Sequence, residues 1–244
     1  MADAEKIFGK TYNCPVCGNS FKNLTVRQGR ARMDSTDIDL KVNYKDIEPL
    51  KYDIIQCPRC GYASIERYYE RITSFQRKDI LEEVSKNHKQ IFEEKEEYTF
   101  DEALERYKSA FLTARVKNAH NSEMGLLCLK NGWLFRSYAN SLGEGEEGKA
   151  KELRLRENAF LGNALNYLTK ARATEQSPIC GMDDVTLDCL LAGLCTELGK
   201  YDEAKRYMSN VLQSRSATKN VKDKILNMKE FMEEHVKEEA VSAV

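Results

Sequence analysis

Two short motifs of the same design set the frame for this chain: Cys14-Pro15-Val16-Cys17-Gly18 and Cys57-Pro58-Arg59-Cys60-Gly61, with 39 residues between Cys17 and Cys57. In a CPxCG turn two thiolates converge on one ion. Proline pre-sets the backbone between them, and glycine after the second cysteine lets the amides turn toward sulfur without a Cβ clash. Two such turns supply four sulfurs at about 2.3 Å from an ion, a closed tetrahedral set with no open position at which to activate water. Cys14, Cys17, Cys57 and Cys60 are therefore the expected metal ligands, zinc is the expected ion, and its expected role is structural, with no enzymatic activity.

The same turns resemble those of rubredoxin, which makes an iron electron carrier or a thiol-redox protein the alternative reading. Against it, the intervening segment is long and highly charged, and no aromatic core for an iron site is evident. Eight cysteines would suggest disulfides in a secreted chain. The paired spacing of four of them, with no signal-like segment in residues 1–12, points instead to a reducing, cytoplasmic setting. Cys128, Cys180, Cys189 and Cys195 lack ligand spacing and read as small apolar core residues.

Composition changes near residue 72. Residues 1–72 hold three of the four prolines and short β-type runs, Leu24–Val26, Ile38–Val42 and Tyr52–Ile55, the pattern of a small zinc-ribbon-like sheet. Residues 73–244 are densely charged, with apolar residues recurring every three and four positions, the pattern of amphipathic helices. Self-similarity organises this second part. Phe100-Asp101-Glu102-Ala103, followed by Tyr107 and Ala110, matches Tyr201-Asp202-Glu203-Ala204, followed by Met208 and Val211; a third copy is Ala164, Leu168 and Ala171. The offset of 101 residues is close to three times the roughly 34-residue tetratricopeptide (TPR) period.

Leu191-Ala192-Gly193-Leu194-Cys195 with Leu198-Gly199-Lys200-Tyr201-Asp202-Glu203-Ala204 resembles the core of a TPR unit. Three helical hairpins are expected, about 75–95 with 100–116, 122–141 with 149–175, and 184–198 with 201–214, closed by a capping helix at about 219–239. Thr99 with Glu102 forms a capping box, and Ser122 and Asp183 or Asp184 start later helices. The fold class expected is α+β and mostly α: a zinc-ribbon-like module followed by TPR-like hairpins in a short α-solenoid.

Lys and Arg number 38 against 39 Asp and Glu, so net charge argues for neither nucleic acid nor membrane, and no apolar run is long enough to span a bilayer. Locally, Lys22, Arg27, Arg30 and Arg32 form an acid-free stretch that makes a nucleic-acid-binding ribbon a further alternative. The acids that follow, Asp34, Asp37, Asp39, Asp46, Glu48 and Asp53, would repel a phosphate backbone. His88, His120 and His235 stand apart with no triad or HExxH spacing and are expected to face solvent or an interface. Trp133, Phe135 and Tyr138 read as inter-helix packing. A TPR-like stack with no catalytic motif is expected to hold a protein or peptide partner.

The mid-segment Asp34-Ser35-Thr36-Asp37 with Pro49-Leu50-Lys51-Tyr52-Asp53, then Cys57-Pro58-Arg59-Cys60-Gly61-Tyr62-Ala63 and the helical tail, resembles a family of uncharacterised bacterial proteins. The resemblance covers nearly the whole chain. It implies a cytoplasmic protein of Gram-positive origin and brings no activity to inherit.

Overall fold

The computed structural model describes residues 6–90 and 95–242, with side chains through 234. The fold is α+β and mostly α. Among the described residues its N-terminal part is three separate two-stranded antiparallel sheets. β1 (Ile7–Asn13) pairs with β2 (Ser20–Val26), β3 (Met33–Thr36) with β4 (Val42–Tyr44), and β5 (Ile54–Gln56) with β6 (Ala63–Ile65). The two CPxCG turns are the loops of the first and third hairpins, so each strand pair aims its cysteines from one end.

The middle hairpin differs from expectation. The apolar alternation of Ile38 to Val42 predicts a strand, but residues 37–41 form a tight turn. Leu40 takes φ +65°, the Asp37 and Lys41 backbones close on each other at 2.8 Å, and the Asp39 carboxylate accepts from the Lys41 amide. Ile38 and Leu40 are half-buried because the turn's tip is pressed into the helices. Strand β5 likewise starts at Ile54 rather than Tyr52, which ends a 3-10 turn begun at Pro49.

The helices are α1 (Glu66–Tyr69), α2 (Ser74–Glu83), α3 (Phe100–Val116), α4 (Asn121–Ser141), α5 (Glu147–Thr174), α6 (Asp184–Glu197), α7 (Tyr201–Gln213) and α8 (Lys219–Ser242). Capping boxes at Thr73 with Gln76 and at Thr99 with Glu102 satisfy the first amides of α2 and α3, and Asp183 accepts from the Thr186 amide at α6. Helix α4 starts at Asn121, not Ser122, behind His120, which makes no side-chain cap.

Helices α4 and α5 form an antiparallel hairpin around the loop at Gly145 (φ +89°). Their close approach depends on two glycines: a Cβ on Gly125 or Gly132 would stand 2.8 Å from Leu168 or Leu161. Gly199, at φ +68°, ends α6 and lets the Lys200 amide reach back to the Cys195 carbonyl. Helix α7 then lays Ala204, Met208 and Val211 onto α6.

The first expected hairpin does not form as drawn. The helix expected over 75–95 ends at Glu83, followed by a 3-10 turn at Ser85–Asn87. Ile80 and Val84 are buried against the cysteine turns rather than against a repeat partner. Ile91 and Phe92, used in that expectation, lie outside the described residues. Helix α3 packs chiefly on β5, β6 and α4, with a smaller contact to α2. One core joins Ile54, Ala63 and Ile65 of this last hairpin to apolar residues of α3 through α8. No helix among the described residues is long and apolar enough to cross a membrane.

Candidate metal centre

Cys14 and Cys17 leave β1 in the first turn, and Cys57 and Cys60 leave β5 in the second. The backbone solves both turns alike. Gly18 N donates to Cys14 O and Cys14 N to Asn19 O; Gly61 N donates to Cys57 O and Cys57 N to Tyr62 O, all at 2.8–3.0 Å. Both glycines sit at positive φ, +71° and +75°, where a Cβ is penalised. Two identical knuckles, face to face, present four sulfurs to one point.

All four Sγ atoms lie within 4.8 Å of one another. Cys14 Sγ is 3.5 Å from Cys60 Sγ, and Cys17 Sγ is 3.6 Å from Cys57 Sγ. Tetrahedral zinc with sulfur at about 2.3 Å needs edges of about 3.8 Å, so the cage is already near coordination size. Cys14, Cys57 and Cys60 are buried and Cys17 half-buried.

The protonation chemistry favours a cation. Cys57 is held far below the usual thiol range by hydrogen bonds from Cys14 and then Cys60. Cys14 is pushed up to about 11, chiefly by its bond to Cys57, and Cys60 is pushed higher by Cys14 and Cys57. A thiolate at Cys57 keeps its neighbours Cys14 and Cys60 protonated, because further thiolates would repel it in a buried site. A divalent ion removes that repulsion and lets all four ionise. The buried Tyr69 hydroxyl keeps its proton first through burial, then through the charge of Cys14 and Cys57 and a bond to Cys14. It is a donor in place for a metal-bound thiolate. The residues present fit a metal ion.

Residues from α2 and the turn after it hold the knuckles from outside. Arg77 Nε donates to Val16 O at 2.8 Å, and the His88 ring meets Pro58 O at 3.1 Å. Val16, Tyr62, Tyr69, Ile80 and Val84 complete the apolar shell, with Tyr62 Oη donating to Tyr69 O. His88 is thus a half-buried neighbour of the cysteine cluster, against the expectation of a solvent-facing or interface residue. Nothing in its spacing from the cysteines could have revealed that contact. His120 is exposed at the start of α4, and the side chain of His235 lies outside the described residues.

Cys128, Cys189 and Cys195 are buried in the main core, where burial raises their thiols, Cys128 and Cys195 to about 12. Cys180, half-buried, donates to Ser122 O. Of the basic stretch, Arg27 lies 4.8 Å over the Phe8 ring, Arg32 makes a two-pronged bond to Asp46, and Arg30 is exposed.

The acids of the mid-segment are largely engaged with cations rather than spread over a solvated face. Asp37 and Asp39 bind Arg136 of α4, Asp53 binds Lys130, and Glu48 is 3.5 Å from Lys41. Trp133, expected as packing, is half-buried and its Nε1 donates to Asp39 at 2.8 Å. Sequence reasoning missed this cluster, since Asp39 and Arg136 are 97 residues apart and each alone reads as surface charge.

No curated protein and no solved structure matches the chain. With residues 7–232 matched by the model of an uncharacterised protein conserved in bacteria (DUF2225), the chain belongs to that family.

Proposed function

We propose that this chain is a non-enzymatic zinc protein of a reducing, cytoplasmic compartment, whose TPR-like helical part (73–244) holds a protein partner and whose N-terminal module (1–72) is ordered by the metal. The carrying observation is the pair of matched knuckles whose sulfurs stand 3.5 and 3.6 Å apart across the gap. Four thiolates close the tetrahedron, leave no position for substrate and give the ion a structural role. The antiparallel pairs α4/α5 and α6/α7, with small residues at their crossings, support the repeat reading.

Elemental analysis of the purified full chain tests the ion. One zinc per chain in a colourless protein is expected, falling to none in Cys57→Ser. A red iron chromophore would replace this reading with electron transfer. The partner class is tested by capture with the full chain. Loss of the partner on substituting exposed residues of α4–α7, and retention on substituting Lys22, Arg27 and Arg30, is expected. The opposite result, with binding that fades steeply with salt, would favour nucleic acid.

A further inference from the structure

The middle hairpin is more open to solvent than the other two: all four residues of β3 are exposed, and Met33 stands 65 % open to solvent. Only the tip is buried, and there Asp39 is fully enclosed. The tip enters a recess on the helices. Arg136 Nη1 donates to Asp37 at 2.7 Å and to Asp39 at 3.0 Å, its Nη2 donates to Asp39 at 2.8 Å, and Trp133 Nε1 adds a fourth bond. The floor is Gly193 of α6: a Cβ there would stand 2.4 Å from Ile38 O and 2.8 Å from the Asp39 Cα. A forked guanidinium, an indole N–H and a glycine floor are the parts of a carboxylate-recognition site.

We infer that the face made by Trp133 and Arg136 of α4 and Gly193 of α6 is a binding site for an acidic turn carrying two aspartates one residue apart, filled in cis by residues 37–41 of the same chain. The ligand is an arm and the helices supply a complete receptor. With the arm withdrawn, Arg136 keeps two carboxylates that belong to the helices, Glu157 at 2.5 Å and Glu197 at 3.8 Å. No uncompensated buried cation is left behind, the circumstance that makes breaking most buried ion pairs prohibitive. The two aspartates return to water on an exposed stem. The covalent tether gives the arm an effective concentration in the millimolar range, so a free ligand of the same chemistry enters only where the arm is disabled. The outside ligand belongs to the adaptor reading above and narrows it to acidic turns; the cis contact itself stands without that reading.

The chain's only tryptophan touches the arm, so its fluorescence reports occupancy directly. Two full-length variants disable the arm differently: Asp37→Asn with Asp39→Asn removes its charges, and Gly193→Ala obstructs its seat while keeping every charge. Both are expected to retain the wild-type far-UV circular dichroism and to shift the Trp133 emission. A synthetic peptide of residues 32–45 added to the double variant should reverse the shift saturably, and the same peptide with Asn at both Asp positions should not. Cooperative loss of helical signal in both variants would make the turn a part of the folding core and overturn the inference. So would an unchanged Trp133 emission, or equal binding of the acidic and the Asn peptides. Since no partner is used, failure of the adaptor reading leaves this outcome unaffected.

Discussion

Gly18 and Gly61 occupy equivalent places in the two knuckles, at φ +71° and +75°, yet their surroundings differ. A Cβ on Gly18 would meet nothing within 4 Å, whereas one on Gly61 would stand 2.6 Å from the His88 ring. Alanine at Gly18 therefore costs only the left-handed backbone penalty, about 1–2 kcal/mol. At Gly61 it also displaces His88 from the Pro58 carbonyl and loosens the segment after α2. In a chain of this length about 1 kcal/mol moves Tm by about 2–4 °C. Gly18→Ala should lower the Tm of the metal-loaded protein by several degrees and Gly61→Ala by more, as measured by calorimetry. Equal shifts would show that His88 does not hold the second knuckle.

At the level of elements, ion pairs fasten the helices, and two of them lead to opposite expectations. Lys117 at the end of α3 and Glu123 in the first turn of α4 meet at 2.7 Å with both side chains nearly inaccessible. Lys117→Met strands the Glu123 charge and should destabilise by about 3–5 kcal/mol, while pairing it with Glu123→Leu should recover most of that loss. A double variant no more stable than the single one, in urea titration, would contradict the pairing. Glu197 is the reverse case, one more carboxylate beside Asp37, Asp39 and Glu157 around a single arginine. Its carboxyl is pushed above the ordinary range, first by burial, against Arg136, and further by Asp39, Glu157 and Asp37. A carboxyl whose folded pKa is raised costs stability when ionised. That cost is present above the folded pKa and vanishes as pH falls below the unfolded one. Glu197→Gln should thus raise Tm at pH 7, with the difference shrinking toward pH 4; a constant difference would assign the effect to packing.

Over the whole molecule, the features visible in the sequence were those whose causes are local. The CPxCG turns, the Thr99 capping box, the Gly199 stop and the Asp183 cap each depend on residues within a few positions of one another. The features not visible join distant positions. Examples are the Asp37–Leu40 turn seated on Gly193, the Arg136 cluster, and α2 diverted onto the cysteines, where the periodicity of Ile80, Val84 and His88 was real but served a different neighbour. The same division governs what a bound metal would sustain. Around the cysteines lies a small separate core that includes Val16, Tyr62, Tyr69, Ile80 and Val84, closed by four thiols that repel one another once ionised. Helices α4 to α8 share the large core, which contains none of the four clustered cysteines. Between them, β5 and β6 face both ways, with Ile55 in the small core and Ile54, Ala63 and Ile65 in the large one. Local stability follows such boundaries, and a structural zinc contributes its binding energy to the part it closes. Chelation at neutral pH should release fast hydrogen exchange in residues 14–21, 57–62 and 74–84 while α4 to α7 stay protected and most helical dichroism persists. Uniform exchange through α4 to α7 on chelation would mean that the two cores fold as one, and that a bound metal would hold the entire chain.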